Sequence, residues 1–166
     1  MIYEEVFREF SSKGVRYLVV GGIATNIYGY VRMTVDLDIM VDLSEENLSR
    51  VISGMEKLGY LPRAPVEPLD LVSKEKRERW VKEKGAVVFT FVHKEKPYRQ
   101  VDVFLSNPVA FDEAYGRRRD MQIGDAKLSL ISMDDLIALK QAVGRPRDLE
   151  DVHHLKKIRE IKDRER

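Results

Sequence analysis

Two carboxylates, two residues apart inside an apolar run, constrain this chain more than any other feature. The run is Val35 to Val41, VDLDIMV, with Asp36 and Asp38 set among Val, Leu, Ile and Met. Side chains alternate faces along a strand, so the two acids share one face while Leu37 and Ile39 point into the core. Like charges on a half-buried surface repel, and ionised carboxylates are costly to bury without a cation or another partner. Upstream, Tyr17-Leu18-Val19-Val20 runs directly into Gly21-Gly22, an apolar strand ending in paired glycines. A short helix, Ile23 to Tyr30, and a loop, Arg32 to Thr34, join the two runs. The local order is strand, glycine pair, short helix, acid-bearing strand.

The flanking segments extend this into a domain. Ile2, Val6, Phe7 and Phe10 keep helical spacing opposite Glu4, Glu5, Arg8 and Glu9, and Gly14 stops that helix. After the acid strand, Ser44 caps a helix with an apolar stripe of Leu48, Val51, Ile52, Met55 and Leu58. Tyr60 to Pro68 holds three prolines and reads as loop with a short extended piece. Ser73 to Lys84 reads as a solvated, charge-rich helix around Trp80-Val81. Val87–Val92 and Tyr98–Leu105 form a hairpin across Lys94-Glu95-Lys96-Pro97. A helix follows from Asn107-Pro108 to about Tyr115, then one or two short strands in Met121–Ser129. Ser132 caps a helix with Asp135 three residues on, and a last helix spans Arg147 to Lys162. Helices after strands, with a hairpin between, predict an α/β (α+β) fold: a mixed sheet with helices packed on it. Residues 1–130 make the main domain and 131–166 a small C-terminal helical extension packed on it.

Composition excludes several classes. The 166 residues, 43% hydrophobic, suffice for one domain with a real core. With 29 Lys and Arg against 28 Asp and Glu, no bulk charge favours nucleic acid. There is no cysteine, so neither disulfides nor thiolate metal sites exist. No apolar run reaches the length of a membrane span, and MIYEEVFREF does not read as a signal peptide, so a cytoplasmic location is expected. The glycine pair is not followed by Gly-Lys-Ser/Thr, which argues against a P-loop.

A third acid completes the candidate site. Asp102 lies between Val101 and Val103 in the second hairpin strand. If the strands are neighbours, Asp36, Asp38 and Asp102 converge on one face and offer oxygen ligands suited to magnesium. Two such ions can stabilise the attacking and leaving oxygens of phosphoryl chemistry. Gly21 and Gly22 would let the backbone approach phosphates at a helix start.

Gly21-Gly22, Thr34-x-Asp36-x-Asp38 and Val101-Asp102-Val103 together resemble the signature of the nucleotidyltransferase superfamily typified by DNA polymerase beta. The likeness is closest to its small members: minimal nucleotidyltransferases, abortive-infection toxin-type transferases and lincosamide-type transferases. It extends through Ile131–Lys140 and Gly144–Asp151, and is weakest over Tyr60–Lys84. The resemblance implies a metal-dependent enzyme that moves a nucleoside monophosphate from a nucleoside triphosphate, usually ATP, to an acceptor and releases pyrophosphate. It implies that Asp36, Asp38 and Asp102 hold two magnesium ions and that Gly21 and Gly22 contact the triphosphate. The acceptor is left open among small molecule, tRNA and protein. A protein partner or homo-oligomer stays open too, as do two rivals: a nucleotide-binding domain without turnover, and a toxin–antitoxin-type interaction protein of the same fold.

Other residues carry two readings each. Thr34 orients its loop or touches phosphate. Lys140, polar within an apolar stripe, contacts phosphate or snorkels to solvent. Asp148 and Asp151 are expected to pair with Arg145 or Arg147 and lock the last turn. Asp42 is expected to end its strand, Tyr28 and Tyr30 to pack, and His153-His154 to form a surface pair.

Overall fold

The computed structural model describes residues 1–166. The chain runs α1 (Glu4–Lys13), β1 (Tyr17–Val20), α2 (Gly21–Tyr28), β2 (Leu37–Val41), α3 (Glu45–Lys57) and β3 (Tyr60–Pro62). A 3-10 turn over Pro68–Val72 leads into α4 (Lys74–Lys84), β4 (Val88–His93), β5 (Gln100–Phe104) and α5 (Phe111–Gly116). Then come β6 (Arg119–Ile123), β7 (Ala126–Leu130), α6 (Met133–Val143) and α7 (Pro146–Arg164). The expected mixed sheet is present: seven strands in the order β3-β4-β5-β2-β1-β7-β6. β2–β5 and β1–β7 pair parallel, and the other neighbours pair antiparallel. No helix is long and apolar enough to cross a membrane.

Register sorts the two faces. Leu37 and Ile39 stand opposite Val101 and Val103, which stand opposite Phe91 and Phe89, and all six are buried. Tyr17 continues this face, where α1 covers it with Phe7 and Phe10 at ring distances of 6.3 and 5.1 Å. Asp38, Asp102 and Thr90 form the corresponding row on the other face, across β2, β5 and β4. α2, α6 and α7 pack together, and α2 lies against β2.

Local departures from the sequence reading cluster near the acids. The helix after the glycines begins at Gly21 rather than Ile23. β2 begins at Leu37 rather than Val35, so Asp36 lies just before it. The cause is that β1 ends at Val20, whose partner is Asp38; beyond that rung β2 has no antiparallel neighbour. The Val35 carbonyl instead accepts a hydrogen bond of 2.5 Å from the Tyr3 hydroxyl. α5 starts at Phe111, later than expected, because Asn107 is drawn back to donate to the Val41 carbonyl at 3.0 Å. α4 matches the expected charge-rich helix, yet it is anchored: the buried Arg77 guanidinium donates to the Leu71 and Val72 carbonyls at 2.7 and 2.9 Å.

Candidate active site

The glycine pair is where strand becomes helix. Gly21 has φ of +67°, and a Cβ there would lie 2.1 Å from the Asp38 carboxylate. Only glycine permits both the backbone turn and that approach. A Cβ on Gly22 would lie 2.5 Å from the Thr34 hydroxyl and 3.3 Å from the Arg32 guanidinium. The two glycines thus let Asp38, Thr34 and Arg32 close on the start of α2. No side chain caps that helix, so its first N–H groups lack a capping partner.

Asp38 and Asp102 are direct register partners on β2 and β5. Adjacent strands run about 4.8 Å apart, so their carboxylates are neighbours. Burial, then the charges of Asp102 and Asp36, push the Asp38 carboxyl up to about 7, against the pull of Lys140 and Arg145. Burial and Asp102 also raise Asp36, which Arg63 partly offsets. Asp102 accepts a hydrogen bond of 2.7 Å from the Thr90 hydroxyl. With Asp38 leaning on Gly21 and Asp102 turned to Thr90, no three acidic or histidine side chains are gathered tightly enough to form a ready-made metal cluster. The donor set nevertheless fits a hard divalent cation: carboxylate oxygens, mutually repelling, with nearby cations engaged elsewhere.

Those cations belong to an ionic network behind the site, in which Lys140, Asp148 and Asp151 are buried, Arg32 is partly buried and Arg145 is exposed. Lys140 is 2% exposed and does not snorkel; its ammonium lies 2.7 Å from Asp151 and 3.8 Å from Asp148. Arg32 grips Asp151 through two hydrogen bonds of 2.9 and 2.8 Å. Arg145, the N-cap residue of α7, reaches Asp148 in its first turn at 2.7 Å, one of the expected pairings. Asp151, by contrast, pairs with Arg32 and Lys140 rather than with Arg145 or Arg147. Burial would raise the Asp151 carboxyl, but the hydrogen bonds from Arg32 and Lys140 outweigh it and hold the group low. Of these cations, Lys140 and Arg145 also pull the Asp38 carboxyl down, against burial and the neighbouring acids.

Several candidates fall away from the site. Asp42 ends its strand, accepting from Arg16 at 2.5 Å and from the Ser44 amide at 2.9 Å. Tyr28 donates to the Ile131 carbonyl at 2.6 Å inside the core. The Tyr30 ring stacks on His154 at 3.9 Å and its hydroxyl donates to Glu150. Arg32, Arg63 and Thr90 were not singled out from sequence. Arg32 and Arg63 lie in loops without periodicity, and Thr90 is one more β-branched residue in an apolar strand; only strand pairing and chain crossing bring them to the acids.

No protein-family model matches the sequence, and no curated protein matches it. Solved structures do match in fold. The lincosamide antibiotic adenylyltransferase LnuA, bound to lincomycin, is 18% identical over 90% of this chain and 90% of its own, with a TM-score of 0.55. ANT(2'')-Ia in complex with adenylyl-2''-tobramycin is 12% identical over 99% of this chain and 97% of its own, at 0.54. An antigenic nucleotidyltransferase-like protein from Paracoccidioides brasiliensis is 14% identical over 93% of this chain and 73% of its own, at 0.57. The chain has a fold found among nucleotidyltransferases.

Proposed function

From that fold and the acid face, we propose that the chain is a nucleotidyltransferase. It transfers a nucleoside monophosphate, from ATP or a related triphosphate, to an acceptor hydroxyl. The observation that carries this reading is the Asp38 carboxylate: half-buried, packed on Gly21, and opposite Asp102 without a counter-ion of its own. An acid held in that way destabilises the empty protein, and a bound divalent cation would relieve it. In this reading Asp36, Asp38 and Asp102 would hold magnesium. Bound there, magnesium neutralises phosphate charge and lowers the pKa of an attacking hydroxyl.

The remaining steps belong to the chain. The free amides at the start of α2 and the Gly21–Gly22 backbone receive the triphosphate. Arg32, held by Asp151 beside Gly22, adds a fixed positive charge there, and Thr34 offers a hydroxyl. Lys140 and Arg145 contribute from behind Asp38. Asp102, one oxygen held by Thr90, would turn the other to the cation and the acceptor hydroxyl, where it could also receive the acceptor proton.

The test is transfer of radiolabel from α-labelled triphosphates, with magnesium, to a panel of small hydroxyl compounds, tRNA and protein. Wild type should label at least one class, and Asp38→Asn should label none. Labelling that survives in Asp38→Asn, or that needs no divalent cation, would overturn the reading.

A further inference from the structure

The parallel ladder between β2 and β5 stops one step short of Asp36. Leu37 pairs with Val101, so the next rung would set Asp36 opposite Gln100 and join the Gln100 amide to the Val35 carbonyl. A side chain from outside the sheet occupies that bond. The Tyr3 hydroxyl donates to the Val35 carbonyl at 2.5 Å and accepts from the Gln100 amide at 3.1 Å. One oxygen thus stands between two backbone groups that would otherwise meet directly, and both groups stay satisfied. Val35 immediately precedes Asp36, and Gln100 lies two residues before Asp102.

The hydroxyl is itself held from behind. Tyr3 is 2% exposed, its ring belongs to the core, and its carbonyl accepts from the Val6 and Phe7 amides at the start of α1. Glu5, in the first turn of α1, pairs with Arg99 next to Gln100. Burial raises the Tyr3 phenol above its ordinary value, outweighing the Gln100 amide, and the charges of Asp36 and Asp102 add to the rise. The hydroxyl therefore keeps its proton, and with it the bond to Val35, at neutral pH.

We propose that Tyr3 is a positioning residue of the acid site: its hydroxyl wedges β2 from β5 just before the acids and holds Asp36 at a spacing from Asp102 that suits a divalent cation. The assignment rests on the nucleotidyl-transfer reading for the cation it serves. Asp36 precedes β2 and has no rung of its own, so its place depends on the backbone at Val35. Without the hydroxyl, two arrangements are open to the Gln100 amide and the Val35 carbonyl. They close on each other, which draws Asp36 toward Asp102, or they stay unpaired, which frees the segment that carries Asp36. Both weaken the grip on a cation that needs its oxygen ligands at a set distance.

Tyr17 supplies a matched control. It too is 2% exposed, and its hydroxyl donates to the Lys127 carbonyl at 3.2 Å and accepts from the Ser129 amide at 3.4 Å, both on β7. Tyr3→Phe and Tyr17→Phe each remove one buried hydroxyl and keep the ring, so each should lower the melting temperature by about 2–4 °C. Calorimetric titration with magnesium, without nucleotide, separates them. Tyr3→Phe should bind magnesium about tenfold more weakly than wild type, and Tyr17→Phe should match wild type. In the labelling assay Tyr3→Phe should need about tenfold more magnesium for half-maximal rate. A second reading needs no substitution. Magnesium must tighten the hydroxyl bridge by the factor by which the bridge tightens magnesium. Saturating magnesium should therefore slow hydrogen exchange of the wild-type Gln100 amide by about tenfold relative to the Ser129 amide. Unchanged magnesium affinity in Tyr3→Phe, an equal loss in Tyr17→Phe, or a Gln100 amide that slows no more than Ser129 would overturn the assignment. If wild type transfers label while Tyr3→Phe keeps its magnesium affinity, the positioning role falls and the transfer reading stands. If Tyr3→Phe weakens magnesium as expected yet wild type labels no acceptor, the transfer reading falls and Tyr3 remains the positioning residue of a metal site. A wild type that binds no magnesium would end both.

Discussion

Two groups of aspartates, the strand acids and the helix acids, meet opposite fates in this molecule. Asp148 and Asp151 on α7 are buried more deeply than Asp38, yet each is matched by cations, and Asp151 is held below the ordinary carboxylate range. Asp38 on β2 has acids for neighbours and is pushed up to about 7. Burial acts on both groups in the same direction; the partners decide the sign. A buried acid with its cation in the chain is architecture. A half-buried acid with no cation of its own in the chain is what the proposed metal site requires.

Removing the charge from each group tests that division. The largest effect expected is on turnover: Asp38→Asn should lower transfer by roughly 10³-fold, equal to about 4 kcal/mol of barrier. The same variant should melt no lower than wild type, because an amide removes the repulsion with Asp36 and Asp102. Asp151→Asn should behave the other way. It leaves Lys140 and Arg32 buried against a neutral group, and breaking such a pair costs about 3–5 kcal/mol of stability. Denaturant titration of both variants beside the labelling assay reads the contrast. Two variants that lose stability equally would erase it.

A smaller effect separates the groups by pH. The folded-state pKa of Asp38 is raised, so between pH 4 and 7 the folded protein binds more protons than the unfolded chain. Stability from this group therefore falls as pH rises through that window. The full shift would correspond to about 4 kcal/mol at about 1.4 kcal/mol per unit; with relaxation and water entry about 2 kcal/mol is expected. Asp151 slopes oppositely, since its lowered pKa gives stability that is lost as pH drops toward that pKa. The clean measurement is the difference between wild type and Asp38→Asn, which should turn against wild type from pH 4 to 7. Magnesium at pH 7.5 should recover that difference, raising the wild-type melting temperature by about 4–8 °C and leaving the variant unmoved. A magnesium response that persists in Asp38→Asn would place the cation elsewhere.

The strand acids were legible in sequence and the helix acids were only half so, for a physical reason. A strand repeats every two residues, so VDLDIMV alone puts Asp38 on the face away from Leu37 and Ile39; the same period extends the reading to Asp36, which lies just before β2. The glycine pair announced the strand-to-helix turn, though not that Gly21 itself opens α2. Register is different: that Asp102 stands opposite Asp38 depends on β2 and β5 pairing in parallel, a tertiary fact. The network behind the site was least legible. Asp148 finds Arg145 three residues away, within reach of local reasoning. Asp151 finds Arg32 across 119 positions, and no local pattern marks a loop arginine for that role. Lys140 stood out as a lysine in an apolar stripe, but its two aspartates became visible only when α6 met α7.

The smallest expected effect concerns what holds the strand acids in place. Thr90→Val keeps the β-branched shape, so β4 should retain its pairing and the melting temperature should move little. What the variant removes is the hydroxyl donor to Asp102, at 2.7 Å. A partner that orients a metal-binding carboxylate typically changes affinity by about 10–100-fold when removed; a single half-buried hydroxyl belongs at the low end, so about tenfold weaker magnesium dependence is expected. The readout is the magnesium concentration for half-maximal labelling, with Thr90→Ser as the conservative control that keeps the donor. Recovery in Thr90→Ser ties the effect to the hydrogen bond. Equal losses in both variants would mean that Thr90 serves Asp102 only by packing, and that the acid face needs no donor to stay aimed at its cation.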